Sequence, residues 1–160
     1  MKSVLLKIFV GSISKNGFIK RMGVDQFRSQ NRGGRGISSM TTRDEDSIEH
    51  LIVTQSHNYL LCFTTKGRVF KIKSYQVPEA SRLSKGVSLS HFLNFEDGEV
   101  LTSVVDIKEF SSELFLFMTT KKGVVKKTTL ESFVHFKNKP ILAINLDKDD
   151  ELTWVKKTNG

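Results

Sequence analysis

Apolar residues fall in short runs that end at glycine or lysine. Tyr59-Leu60-Leu61-Cys62-Phe63, Leu114-Phe115-Leu116-Phe117-Met118 and Gly67-Arg68-Val69-Phe70-Lys71-Ile72 are rich in aromatic and β-branched residues. Such runs predict strands. No long stretch repeats at a helical period of 3.6 between caps, and there are two prolines, Pro78 and Pro140. Near the start, Val4-Leu5-Leu6-Lys7-Ile8-Phe9-Val10 reads as a strand and not a signal peptide, because Lys7 interrupts it and no small-residue cleavage pattern follows. The pattern predicts an all-β protein.

The runs recur. Ser14-Lys15-Asn16-Gly17-Phe18-Ile19-Lys20-Arg21 matches Thr64-Thr65-Lys66-Gly67-Arg68-Val69-Phe70-Lys71, and both match Thr120-Lys121-Lys122-Gly123-Val124-Val125-Lys126-Lys127. The glycines stand 50 and 56 residues apart. Ten residues after each glycine comes Phe27, Val77 or Phe133. An acidic cluster closes each unit (Asp44-Glu45-Asp46; Glu96-Asp97 with Glu99; Asp149-Asp150-Glu151), and a further strand is predicted to start near Ile48, Val100 and Leu152. Units of this length built from several short strands are blade repeats. One domain over residues 1–160 is predicted, with blades at about 12–57, 58–112 and 113–157. Asn16-Gly17 and Lys66-Gly67 suit tight hairpin turns, since glycine takes the positive φ. The fourth residue after each glycine is basic: Arg21, Lys71, Lys127. Lys71 and Lys73 share a strand face, with Ile72 on the other.

Charge sharpens this reading. The chain of 160 residues carries a net charge of +8. Met1 to Arg43 holds nine Lys or Arg against one acid, Asp25, and so accounts for the whole excess; the remaining 16 basic and 16 acidic residues cancel. Concentrated positive charge points to a polyanion, nucleic acid before an anionic membrane. The segment contains Gln30-Asn31-Arg32-Gly33-Gly34-Arg35-Gly36. Its glycines let backbone approach a partner, and its two guanidinium forks suit phosphate. The bland alternatives are a flexible basic turn here, and surface lysines that keep edge strands soluble.

Other chemistry is thin. His50, His57, His91 and His135 are scattered, with no partner at metal-ligand spacing. No His-Glu-x-x-His, Gly-x-Ser-x-Gly or phosphate-binding glycine loop occurs. Asp149-Asp150-Glu151 reads as an exposed turn and Trp154 as core or blade packing. The single cysteine, Cys62, between Leu61 and Phe63, reads as an inert core thiol and fits a reducing cytoplasm. No catalytic constellation, cofactor or metal is called for.

The repeats, the Gln30–Gly36 stretch, Tyr75-Gln76-Val77-Pro78-Glu79-Ala80-Ser81-Arg82, Lys121-Lys122-Gly123-Val124-Val125-Lys126-Lys127-Thr128 and Ala143-Ile144-Asn145-Leu146-Asp147 before Asp150-Glu151-Leu152 together resemble the C-terminal DNA-wrapping domain of bacterial DNA gyrase A. The likeness runs from about Ser12 to Val155. It implies a β-pinwheel, a propeller-like ring of blades, that bends double-stranded DNA around its rim so that the holoenzyme introduces negative supercoils. It makes Gln30, Asn31, Arg32, Gly33, Gly34, Arg35 and Gly36 the gyrase box. Lys20, Arg21, Lys71, Lys73, Arg82, Lys85, Lys126 and Lys127 become a basic rim following the backbone. Such contacts position DNA without reading its sequence. The implied partners are the gyrase A breakage-reunion domain and gyrase B, in the bacterial cytoplasm at the nucleoid.

Three departures stand out. Asn31 replaces the usual arginine, which removes one possible phosphate contact, worth about 0.9 of logarithmic salt slope. Arg35 replaces lysine, keeping the charge and gaining a fork. The family form usually has six blades where three are counted here, and no breakage-reunion domain with its catalytic tyrosine is present: Tyr59 and Tyr75 lie in blade strands. A fragment, a truncated product or a stand-alone paralogue is expected, non-catalytic in itself. Two alternatives stay open. One is the related pinwheel of topoisomerase IV, in which the box is usually degraded. The other is a propeller-like protein-interaction scaffold.

Overall fold

The computed structural model describes residues 6–27 and 47–160. The Gln30–Gly36 stretch, the Asp44-Glu45-Asp46 cluster and the first residues of the predicted opening strand lie outside the described residues. Along the chain the described strands are β1 (Ile8–Ser14), β2 (Phe18–Gly23), β3 (Ile48–Gln55), β4 (Tyr59–Thr64), β5 (Arg68–Lys73) and β6 (Val87–Ser88). They continue as β7 (Leu101–Ile107), β8 (Phe115–Thr120), β9 (Val125–Thr129), β10 (Ile141–Leu142) and β11 (Leu152–Thr158). Single helical turns lie at Ser74–Gln76, Leu89–Phe92 and Leu130–Phe133. The protein is all-β, as its pattern predicts. The opening strand runs later than expected, from Ile8 through Ser14. The strands after the acidic clusters begin at Ile48, Leu101 and Leu152, within one residue of expectation.

Each repeat begins with the same hairpin, and the turn chemistry explains why. Gly17, Gly67 and Gly123 sit at φ +87°, +78° and +90°, where a side chain would be strained. Each glycine N–H donates to the carbonyl three residues back, on Ser14, Thr64 and Thr120, at 2.9, 3.0 and 3.0 Å. The Ser14 and Thr120 hydroxyls also accept the N–H just after the glycine, from Phe18 at 3.1 Å and Val124 at 3.0 Å.

The pairing is antiparallel throughout the three sheets, with orders β3-β1-β2-β6, β10-β5-β4-β7 and β11-β8-β9. In each of the first two sheets, one outer strand comes from the repeat that follows. β6 pairs Phe18 with Ser88 and Ile19 with Val87. β10 pairs Ile141 with Val69 and Leu142 with Arg68. The close fit is visible at Gly86, where an added Cβ would run into the Ile19 carbonyl.

The described residues form two compact units. One comprises those up to His57 together with Lys73–Phe95; the other comprises Asn58–Ile72 and Glu96–Gly160. In the first, Phe9, Val10, Ile13, Ile19, Met22, Val77, Leu89 and Leu93 are buried. In the second, Leu61, Phe63, Val69, Val105 and Ile107 of the second sheet share a core with Leu116, Met118, Leu152 and Val155 of the third. Phe133, Ala143 and Ile144 complete that core. Cys62 is fully buried, and the apolar surroundings push its thiol pKa up to about 12. Trp154 departs from expectation: it is 44% exposed, with its ring edge on Phe117 at 6.2 Å. The reason is the side of the sheet it occupies. It pairs with Thr119, which faces away from the buried Met118 and Thr120.

The acidic clusters do more than close turns. Buried Glu99 accepts from the Thr64 hydroxyl at 2.6 Å and from Arg68 Nε and Nη2 at 2.9 and 2.7 Å. Burial works to raise its pKa, but these bonds and the Glu96 N–H outweigh that and leave it lowered. In the third repeat Asp150, expected on an exposed turn, is buried instead, and its Oδ1 accepts the N–H groups of Lys122 and Glu151, each at 2.9 Å. Both carboxylates pin the hairpin turn of their own repeat.

Candidate nucleic-acid interface

A cation can serve a polyanion only if its charge is not already cancelled. Most of the predicted basic residues are hydrogen-bonded to backbone carbonyls. These fix the side chain but carry no net charge, so the positive field survives. Arg68 is the contrasting case, paired with Glu99 and near Glu96, and it was not among the predicted rim residues.

In the first unit, Lys20 Nζ donates to the carbonyls of Ser81, Arg82 and Ser84 at 3.1, 3.1 and 2.7 Å. Partial burial lowers its pKa. This brackets the exposed turn that carries Arg82 and Lys85, and Lys85 Nζ lies 5.7 Å from the Phe18 ring. The structure therefore brings Lys20, Arg82 and Lys85 together, although 61 or more residues separate Lys20 from the other two. Arg21 Nε donates to the Val77 carbonyl at 2.6 Å, and Nη1 is 3.7 Å from exposed Glu79. Lys73 Nζ donates to the His57 carbonyl at 3.1 Å.

In the second unit, Lys71 Nζ donates to the Phe133 and Val134 carbonyls, both at 2.9 Å. It also stands 5.4, 4.9 and 4.6 Å from the rings of Tyr59, Phe110 and Phe136. Lys126 Nζ donates to the Ala143 carbonyl at 2.9 Å, and exposed Lys127 stands 4.3 Å over Phe115. One pattern joins the repeats. The basic residue four after the turn glycine lies over the aromatic ring eight before it: Arg21 over Phe9 at 4.2 Å, Lys71 over Tyr59, Lys127 over Phe115. The recurrence that suggested a rim of phosphate contacts thus has an internal cause in cation–π packing.

Two residues escaped the sequence reading. Lys156 lies directly across β8 from Lys127, with Phe117 between them, and Lys157 follows it. With Trp154 they border an open hollow of about 280 Å³. The available signal was a lysine pair two residues after a tryptophan on a predicted strand. Among the described residues no group of His, Cys, Asp or Glu could hold a metal ion, and no helix is long and apolar enough to cross a membrane.

Comparison with known proteins follows the same three repeats. The family model described as the DNA gyrase C-terminal domain, beta-propeller, matches residues 12–55, 58–108 and 115–159. The DNA gyrase A protein of Clostridium acetobutylicum is 44% identical over 149 residues, and that of Halalkalibacterium halodurans 41%. The match covers 93% of this chain but 18% of each relative's length. Among solved structures, the C-terminal domain of DNA topoisomerase IV superposes with a TM-score of 0.82 at 23% identity. It covers 99% of this chain and 48% of that one. The DNA gyrase A C-terminal domain gives 0.64 at 17%, covering 96% of this chain and 48% of that one. At these identities the structures attest the fold alone.

Proposed function

Since the chain belongs to the DNA gyrase C-terminal domain family, a β-propeller fold, we propose that it is a non-catalytic module that binds and bends double-stranded DNA for gyrase A. The observation that carries this reading is the placement of charge. The entire +8 lies within Met1–Arg43, together with Gln30-Asn31-Arg32-Gly33-Gly34-Arg35-Gly36. Arg32 and Arg35 clamp phosphates where the wrap begins or ends. Lys20, Arg82 and Lys85 hold the DNA backbone as it continues. In the holoenzyme, with the breakage-reunion domain and gyrase B, the bent segment is presented for ATP-dependent strand passage at the nucleoid.

The test is topological. Nicked circular DNA is incubated with the protein, sealed with ligase and stripped, and its linking number is read on a gel. A protein-dependent shift is expected. Binding is expected to fall about 10³-fold or more between low and moderate salt if six or more phosphates are contacted. The double variant Arg32→Ala/Arg35→Ala is expected to lose the shift while keeping most binding. A variant that wraps like its parent removes the role of the stretch. Absent binding, or binding indifferent to salt, overturns the module reading in favour of a protein-interaction scaffold.

A further inference from the structure

We propose that Lys20 is a positioning residue: it shapes the turn over residues 81–85 so that Arg82 and Lys85 meet phosphates, and it touches no phosphate itself. This deepens the DNA-binding reading and rests on it.

Three successive residues of β2 hold this turn. Arg21 secures its near end. The Arg21 N–H donates to the Pro78 carbonyl at 3.0 Å, and the Ala80 N–H donates to the Arg21 carbonyl at 3.2 Å. Ile19 secures the far end by pairing with Val87 of β6. Gly86 brings the chain back to the strand edge at φ +91°, where an added Cβ would run into the Ile19 carbonyl and Lys20 Cβ. Lys20 lies between the two anchors and fills the mouth of the turn. Its Nζ donates to the carbonyls of Ser81, Arg82 and Ser84 at 3.1, 3.1 and 2.7 Å. Within the turn the Ser84 N–H donates to the Ser81 carbonyl at 3.1 Å, and the Gly86 N–H to Ser84 Oγ at 3.2 Å.

Counting donors decides the role. An ammonium has three N–H groups. The three carbonyls take all of them, so Lys20 can reach a phosphate only by releasing the turn. Partial burial, which lowers its pKa, fits a charge drawn away from solvent. The carbonyls need the cation in return. Three carbonyl dipoles aimed at one point repel one another unless a positive charge sits there. Without it the backbone opens towards water. Arg82 and Lys85 are exposed and carried on that backbone. With the turn fixed, both are placed before DNA arrives, and less ordering remains to be done on binding. The device belongs to the first repeat. At the same offset from the turn glycine the second repeat has Phe70, and the third has Lys126, which donates to the Ala143 carbonyl.

The test measures binding of the full chain to a linear duplex as salt is raised. Lys20→Met is made alone and on top of Arg82→Ala/Lys85→Ala. Alone it is expected to weaken binding about tenfold, through the ordering that Arg82 and Lys85 must then undergo. On top of the double variant it is expected to change neither the affinity nor the salt slope. A direct phosphate contact predicts instead a loss of about 0.9 in logarithmic salt slope in both backgrounds, and that result overturns the proposal. Lys20→Arg keeps the charge, but its wider planar fork does not fit where a compact ammonium meets three carbonyls. It is expected to behave like Lys20→Met, and rescue by arginine also overturns the proposal. A second readout uses no DNA. Tryptic cleavage after Arg82 and after Lys85 is expected to be about tenfold faster in Lys20→Met, with cleavage elsewhere unchanged because only the turn loosens. Parent-like cleavage there removes the role of Lys20 and leaves the DNA-binding reading standing. A parent chain without salt-sensitive binding overturns both.

Discussion

The second and third sheets start from the same hairpin and end in different surroundings. Both turn on Lys-Gly with the glycine near φ +80° to +90°, both place a cation four residues on over an aromatic ring, and both are pinned by a buried carboxylate. Yet Val69 is sealed while Val125 is open, and Lys71 sits among three rings and two carbonyls while Lys127 has one ring. A repeat of this kind is therefore not a self-sufficient unit. Its hairpin is specified locally, but its burial comes from the next repeat. Stability then follows nearest-neighbour contacts, as in other repeat arrays.

The sharpest way to break the comparison is to remove what the second sheet holds inside itself. Glu99→Ala leaves Arg68 without its carboxylate and Thr64 without an acceptor. About 3 kcal/mol should be lost in urea unfolding, the low end for breaking a buried pair, because Arg68 keeps 20% exposure. The pH dependence follows from the same site. The folded pKa of Glu99 is lowered from 4.5, so its contribution is complete above that value and drains away as the pH falls below it. The variant should lack that acid-labile component, and a parent-like acid profile would count against the pair.

Next comes the matched position. Val69→Ala deletes two methyl-sized groups from a fully buried site, for about 2 kcal/mol. Val125→Ala, at the same offset in the open sheet, should change stability by less than about 0.5 kcal/mol. Equal effects would mean that the two environments differ less than their exposures indicate. The cation four after each glycine is a smaller contrast. Lys71→Met strands two carbonyls and should cost about 1–2 kcal/mol, where Lys127→Met loses only its exposed ring contact and should cost less than about 1 kcal/mol in the melting curve.

What was legible in the sequence follows the same divide. The turn glycines, the strand runs and the strand starts at Ile48, Leu101 and Leu152 are set by neighbours in the chain, and pattern reading found them within a residue or so. β6 and β10 were invisible because two residues have no period, and their partners are 68 to 74 positions away. The basic residue four after each glycine is legible in the pattern, but the ring eight before the glycine that it stands over is not, because that contact spans a hairpin. Trp154 was expected inside because aromatic residues in strands usually are; the face it occupies is decided by pairing with Thr119. For the candidate site, the clustering of Lys20, Arg82 and Lys85 depended on a lysine reaching over sixty residues along the chain.

The subtlest difference between the two sheets concerns opening, not stability. Cys62 is the chain's single cysteine, fully buried in β4 with its thiol pKa pushed up to about 12 by its apolar surroundings. At pH 8 the folded protein holds essentially no reactive thiolate there, so labelling by iodoacetamide must wait for the second sheet to open. Its rate should fall with the opening free energy of that sheet and not with the fraying of β9. Val69→Ala should speed labelling by about thirtyfold, the kinetic image of its 2 kcal/mol, if reclosing outpaces modification. Val125→Ala should leave it unchanged. A labelling rate that responds equally to both would show that the second and third sheets open together, and the unequal burial of the two hairpins would then have no counterpart in their dynamics.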